Sequence, residues 1–489
     1  MKTSGSGKQP AGPAEGSGGA RAGGIPHVVI LGGGPAGVGG AYYLRRTARA
    51  SVTLLEQQRV PGGNAGSFDI EGIRVDYGSH RLHHACDPEI LADLKSVLGD
   101  DLVNMPRHGR IRLRGKWLHF PLKPVDLMLR LDRGFALGAM RDMIGRALPG
   151  RKDEGDTFAS VLRANLGRTI CDHFYFPYAR KLWGRDPEAL SAIQARKRVS
   201  AGSFGKLMRR LVKPPGAGHY YYPKKGYGQI SESLATAAHE MGADTMFGWK
   251  VTGVCRSDRS TGWTVIAQCG DETRSLHADY VWSTIPTPLV ARMMTPAPPA
   301  EVAAAASEIS YRAMVLVYLV LDIDQYTTTD AHYFPEENVA VTRVSEPKNY
   351  ARMTEPRGRT VLCAEVPCAV DDALWSMSDE DLGRNVVDDL ARSAIPVPRP
   401  PVRVVVRRLR QAYPIYLRGY EVPFGVLDRW AESLPNFLIY GRQGLFAHDN
   451  THHALYMARA AVDSLREGAF DEARWQQYRD IFATHVVED

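Results

Sequence analysis

Residues 28–56, VVILGGGPAGVGGAYYLRRTARASVTLLE, constrain this chain more tightly than any other stretch. Four apolar residues (Val28, Val29, Ile30, Leu31) run into a turn with Gly32, Gly34 and Gly37, then a helix-forming segment, a second β-branched run and an acid. The pattern predicts strand, glycine turn, helix and strand, the opening of an α/β fold. The three glycines serve different ends. The first permits the tight turn, the second lets backbone approach a pyrophosphate, and the third lets helix and strand pack closely. The pyrophosphate would rest on unpaired amides at the positive end of the helix, beside Pro35 and Ala36. Glu56 closes the second strand, where a carboxylate accepts hydrogen bonds from adenosine ribose hydroxyls.

A chain of 489 residues can build two or more lobes, because single cores stop growing at about 250–300 residues. No apolar run approaches the roughly 20 residues that span a bilayer. Residues 1–24 are Gly, Ser, Ala and Pro with scattered charge and no apolar signal region, so they are expected to form a disordered tail on a cytoplasmic protein. The six cysteines lie far apart without paired or zinc-type spacing, which fits reduced thiols. A net charge of +7 invites a nucleic-acid reading, but the arginines are scattered and are not gathered with aromatics into one basic arm. A small anionic substrate or a phosphate-rich cofactor uses such charge equally well. An oligomeric assembly is compatible with the sequence.

Further along, Gly62 and Gly63 form a second glycine turn just after the ribose acid. Residues 68–78 alternate like a hairpin, 88–98 carry helical spacing, and 106–122 predict a further two-stranded piece. From 123 to 213 leucine, methionine and arginine recur at helical spacing. Residues 220–242 predict a turn and helix, followed by alternating segments at 250–254, 263–268 and 274–278 and a buried-type strand at 279–286. Strands are expected at 314–323, 338–345, 360–366 and 402–409, with a helix near 380–394. The chain closes with a strand and glycine turn at 436–446, a helix from near His452, and a last helical segment. These patterns divide the chain into a tail (1–24), a cofactor domain in three pieces (25–105, 220–295, 431–470), a mostly helical lobe (106–219), a β-sheet substrate domain (296–430) and a C-terminal helix (471–489).

Four motifs in order resemble the flavoprotein superfamily that includes amine oxidases, protoporphyrinogen oxidase and UDP-galactopyranose mutase: GGNAGSFDIEGIRVDYGSHRLHH (62–84), FPYARKLWGRDPEALSA (176–192), VTRVSEPKN (341–349) and GRQGLFAHDNTHHAL (441–455). The resemblance implies a Rossmann-like FAD-binding domain, a mixed-sheet substrate domain and a helical lobe. It also implies non-covalent FAD held by Gly32, Gly34, Pro35, Ala36, Gly37, Glu56, Gly63, Asn64, Tyr77, Gly78, His80, Val251, Gly441, Arg442 and Asn450. Cys86 is the thiol nearest the glycine turn that bears on a covalent alternative.

In such mutases the reduced flavin works through N5 on the anomeric carbon of a nucleotide sugar, with no net redox, and cations clamp the diphosphate. The resemblance assigns that clamp to Arg343 and Arg442, with Arg196 and Arg198 near the position of a mobile-loop arginine. A sheet-surface arginine paired with Glu346 is the structural alternative for Arg343. Tyr178, Trp183 and Tyr413 fall where the resemblance places substrate contacts, Trp183 against the uridine side and Tyr413 near the diphosphate, and His448 stands in the place of an expected tyrosine there; helix-lobe packing is the alternative for Tyr178 and Trp183, and edge-strand packing for Tyr413. His80, His83 and His84 form a cluster without the further ligands a metal site needs, so no metal is expected. Where the mutases carry paired tyrosines, this chain has Phe446 and His448, and its YPKKGYGQI is closer to oxidases. The expected function is therefore mutase-like chemistry on a nucleotide sugar, with an oxidase or desaturase that moves hydride to flavin as the alternative.

Overall fold

The computed structural model describes residues 25–120, 126, 130–147, 155–198, 218–256 and 262–487. The expected tail and the side chain of Arg198 lie outside them.

The opening strand β1 (His27–Leu31), helix α1 (Pro35–Arg46) and strand β2 (Ser51–Glu56) form as the pattern predicts. They nucleate a five-stranded parallel sheet in the order Asp244–Phe247, β2, β1, Tyr280–Ser283, Phe437–Ile439. Val28 to Leu31 are fully buried, as a parallel strand covered on both faces requires. On one face α1 packs with helices Gln229–Glu240 and Thr451–Ser464, and Ile30, Val38, Leu234, Leu455 and Ala458 share one core. The other face meets a smaller sheet of Lys250–Arg256, Trp263–Cys269, Glu272–Ala278 and Met294–Thr295.

A seven-stranded mixed sheet stands apart in the order Arg403–Pro414, Tyr311–Leu321, Thr360–Cys368, Arg343–Ser345, Ala331–Tyr333, Gly109–Leu113, Lys116–Phe120. One face packs on helix Asp379–Arg392, the other on the hairpin Ser67–Ile70 and Ile73–Asp76. The 109–120 hairpin, grouped by sequence with the helical lobe, extends this sheet through parallel pairing of Ala331–Tyr333 with Gly109–Ile111. The strand expected at 338–345 shortens to Arg343–Ser345. Its first half has its backbone engaged elsewhere: Asp389 accepts from the amides of Ala340 and Val341, and Lys181 donates to the carbonyl of Val341. Helices Phe158–Leu166, Phe176–Trp183 and Ala192–Arg198 form the helical lobe around Phe158, Leu162, Phe176 and Trp183. All six cysteines are free thiols.

Candidate functional site

A cavity of about 1410 Å³ runs from the first glycine turn to the seven-stranded sheet. Typical pockets hold about 300–1,000 Å³, so this one accommodates a large cofactor and a substrate together.

At its dinucleotide end the three glycines divide their work. Gly32 has φ +100°, and a Cβ there would lie 2.6 Å from Thr284 Oγ1. A Cβ on Gly37 would lie 1.8 Å from the carbonyl oxygen of Gly32, so the helix can come this close to the turn only with glycine at that position. Gly34 has an ordinary φ of −71°, and its Cβ would meet nothing within 4 Å. Its openness is not spent on the protein itself; it leaves room beside the N-terminus of α1 for a ligand that must come close. Glu56 accepts the amides of Gly33 at 2.7 Å and Gln58 at 2.8 Å, and burial raises its pKa. The second turn is tied to the first, Gly62 N donating to Gly33 O at 2.7 Å. Asn64 Nδ2 donates to Gln411 O at 3.0 Å, anchoring that turn to the long strand Arg403–Pro414. Gly441, at φ +81°, brings the terminal turn against Ala36, where a Cβ would sit 2.7 Å away.

Deeper in, His80 Nε2 lies 3.0 Å from Tyr77 O and its ring stacks on Tyr227. Burial lowers its pKa, so the imidazole is neutral near pH 7. Behind it Asp76 is buried and accepts from Ser67 Oγ, Tyr222 OH and the amide of Tyr227. Arg343 donates to both oxygens of Glu365 at 2.8 Å, and Glu365 Oε1 also accepts Ser79 N at 2.8 Å. Arg343 thus pairs with Glu365, its register partner on the next strand, and not with Glu346. Glu346 is buried and receives the amides of Tyr326 and Thr327 and the Thr360 hydroxyl. Arg442 donates to Ala412 O at 3.2 Å and stacks over the Tyr413 ring.

Of the residues singled out from sequence, Gly32, Gly34, Pro35, Ala36, Glu56, Gly63, Asn64, Tyr77, His80, Tyr178, Arg343, Tyr413, Arg442, His448 and Asn450 line this one cavity. Gly37, Gly78 and Gly441 shape its backbone without lining it. Two placements are corrected. Trp183 is buried in the helical core, its ring edge-on to Phe158 at 5.2 Å, because the inner face of its helix packs on the lobe and not on the cavity. Val251 packs on the smaller sheet's core and lies outside the lining. Arg196 is exposed and likewise outside it. His448 is buried, 3.0 Å from Gln194 Oε1 and edge-on to Tyr416. Cys86 lies outside the lining too, and burial pushes its thiol up to about 12, far from a reactive thiolate.

Arg81, Arg107, Arg407, Arg408 and Arg410 also line the cavity and were not foreseen from sequence. The run Arg407-Arg408-Leu409-Arg410 was a visible signal; Arg81, between two singled-out histidines, was not. Its guanidinium lies over the rings of Tyr220 and Tyr350 at 5.3 and 5.1 Å, with Asp330 at 3.9 Å. His83 and His84 line the cavity, while the metal-capable side chains that converge among the described residues are Asp449, His453 and His485. There His453 Nδ1 already accepts the Asn450 amide at 3.2 Å.

The first glycine turn with Glu56 beside it, a second glycine turn tied to it and a terminal glycine turn meet at one cavity on the parallel sheet of an α/β protein. The chain belongs to the flavin-containing amine oxidoreductase family, whose pattern it matches over residues 35–466, and it is an FAD flavoenzyme. It is 22% identical to the coproporphyrinogen III oxidase of Bacillus subtilis (strain 168), over 81% of this chain and 89% of that one. It is 26% identical to the phytoene dehydrogenase of Streptomyces griseus, the match spanning 48% of this chain and about half (51%) of that relative. The crystal structure of a reduced UDP-galactopyranose mutase superposes with a TM-score of 0.77 at 20% identity, over 95% of this chain and 100% of that one, which is likeness of fold.

Proposed function

We propose that this FAD enzyme acts on a polyanionic small molecule, and that nucleotide-sugar isomerisation of the mutase kind is the reading its cavity supports best. One observation carries it. Seven arginines line the cavity (Arg81, Arg107, Arg343, Arg407, Arg408, Arg410, Arg442) against three lining carboxylates (Glu56, Glu365, Asp449), a lining excess of 7 − 3 = 4 positive charges, with Asp330 and Asp379 just outside the lining beside Arg81 and Arg408. Glu56 lies beside the first glycine turn, whereas Arg343 and Arg442 stand close enough to His80 to disfavour its protonated form; in this reading a diphosphate or several carboxylates would be held there.

Bound FAD supplies a redox-active ring whose N5 exchanges hydride or bonds to carbon. The protein's own residues bind, orient and hold charge. The Arg343–Glu365 pair is close to neutral overall and holds the Ser79 amide in place beside His80. Arg81, weakly paired and braced by two tyrosines, is the cation we assign to the substrate anion. Neutral His80 offers a hydrogen bond without adding charge near the ring.

Oxidation of a polycarboxylate is the second reading, favoured by the long sequence match to a coproporphyrinogen oxidase. Anaerobic reduction followed by a panel of nucleotide sugars separates the two. Isomeric products that need reduced flavin but consume no electrons support the mutase. Substrate-dependent bleaching of the flavin, reversed by oxygen, supports the oxidase and defeats the mutase reading. UDP at about a hundred times Kd should stabilise a mutase by roughly 2.7 kcal/mol, and Arg81→Met and Arg442→Met should each weaken that protection.

A further inference from the structure

Helix Arg133–Ala147 turns four of its larger apolar side chains outward. Its inward stripe is Phe135, Gly138, Ala139 and Asp142, and three of these four are small or charged. Phe135 is buried with Ile111, Leu118, Phe174 and Tyr333. Gly138 lies so close to the next segment that a Cβ would sit 2.7 Å from Thr169 Oγ1, and Asp142 accepts the Thr169 amide at 2.6 Å. The outward stripe is larger and more apolar: Leu137 is 66% exposed, Met140 41%, Met143 38% and Ile144 58%. Residues 137, 140 and 144 recur at one-face helical spacing. The other large exposed apolar residues among those described are Ile25, Val60, Val370, Val402, Val422 and Ile481, scattered through the chain, so this helix holds the one cluster. A contiguous exposed apolar patch marks an interaction surface, whereas single exposed residues do not.

The charges select the partner. Arg133 and Arg141 stand exposed on the outward side. The helix's acid, Asp142, is turned inward onto Thr169. Asp132, just before the helix, is paired with Arg114 and accepts the Phe135 amide. The outward face therefore combines an apolar strip with arginines and leaves both neighbouring carboxylates engaged. Two copies meeting through this face would set like charges against each other. An anionic bilayer satisfies both features, with arginines at the headgroups and the Leu, Met and Ile side chains at the acyl boundary. No helix among the described residues is long and apolar enough to cross a membrane, so the contact would be peripheral. We propose that helix Arg133–Ala147 docks the protein on anionic membrane surfaces, lying in the headgroup plane. This places the bilayer one layer of side chains from the cavity, since Phe135 packs in the same core as Tyr333 and Tyr178, which line it.

The test is co-sedimentation of the full FAD-loaded protein with phosphatidylcholine vesicles, with and without phosphatidylglycerol. Each arginine near an anionic surface raises affinity about fivefold, so two predict roughly 25-fold tighter binding to the anionic vesicles, falling with added salt. Leu137→Gln combined with Ile144→Gln should abolish pelleting while flavin content and melting temperature stay at wild-type values. Arg133→Gln combined with Arg141→Gln should remove the preference for anionic vesicles. The proposal is overturned if wild-type protein stays in the supernatant with both vesicles, or if the Leu137/Ile144 variant pellets like wild type. It is also overturned if light scattering shows a wild-type dimer that this variant turns into monomer, which would make the face a self-association surface.

Discussion

Replacing Gly34 with valine separates ligand space from protein space. At φ −71° and ψ 178° any residue can adopt the backbone, and the new Cβ would have no protein neighbour within 4 Å. Removing a glycine from the unfolded chain stabilises by about 0.4–1 kcal/mol, and a poorer N-cap costs a comparable amount. The stripped protein should therefore melt within about 1 kcal/mol of wild type. The valine methyls, however, enter the cavity beside the N-terminus of α1. A hundredfold loss of FAD affinity corresponds to about 2.7 kcal/mol of ligand-linked stability. Gly37→Ala is the control. Its Cβ would lie 1.8 Å from Gly32 O, a backbone atom that cannot rotate aside, and overpacking of this kind costs about 1–3 kcal/mol or more. The assay is the flavin-to-protein absorbance ratio after purification, with melting of stripped protein before and after FAD addition. A Gly34→Val protein that purifies with full flavin and keeps the FAD-induced rise in Tm refutes the cofactor assignment. One that melts as low as Gly37→Ala when stripped refutes the space argument.

Glu365→Gln should leave Arg343 without its carboxylate in a buried position, costing about 3–5 kcal/mol in urea unfolding; a change below 1 kcal/mol would show that the pair is solvated. Lys181→Met should cost about 2–4 kcal/mol, because Lys181 Nζ donates to the carbonyls of Phe334, Glu336 and Val341 and all three would lose that donor; wild-type stability in the variant would contradict the inward placement of this lysine. Burial holds buried His332 down at about 4. Since the unfolded chain binds that proton first, stability present above about pH 6.5 should fall toward pH 4 by up to ~1.4 kcal/mol per unit. Tm against pH should flatten in that window for His332→Phe, and an unchanged slope would assign the acid sensitivity elsewhere.

Much of the cofactor half was legible because its signals are local. β1, the glycine turn, α1 and β2 lie within thirty residues of one another, and each element's apolar period and glycine spacing arise from contacts inside that unit. The hairpin at 68–78, the helix at 88–98 and the terminal strand and turn were readable for the same reason. The seven-stranded sheet was legible as separate strands but not in order. Ala331–Tyr333 has three residues and no alternation to betray it, and the 109–120 hairpin joins the sheet only because that strand runs beside it. At 338–345 the β-branched run was real, yet Asp389 and Lys181, distant in sequence, took the backbone partners a longer strand would have used.

Sequence alone therefore determined that the chain carries a strand–glycine turn–helix–strand unit, a second glycine turn and a terminal one, because these depend on backbone conformation and close approach over short separations. Tertiary structure alone decided what faces what. It spent Arg343 on Glu365, turned Trp183 into the helical core, brought Arg81 and the Arg407–Arg410 run into the cavity, and set the small side of helix Arg133–Ala147 inward with its leucine, methionines and isoleucine outside. Periodicity reports that a helix or strand has two faces. Which face is buried is settled by the surface that long-range packing brings against it, and here Thr169 and the Ile111–Phe174 core took the side of Phe135, Gly138 and Ala139 on a helix whose own pattern favours neither side strongly.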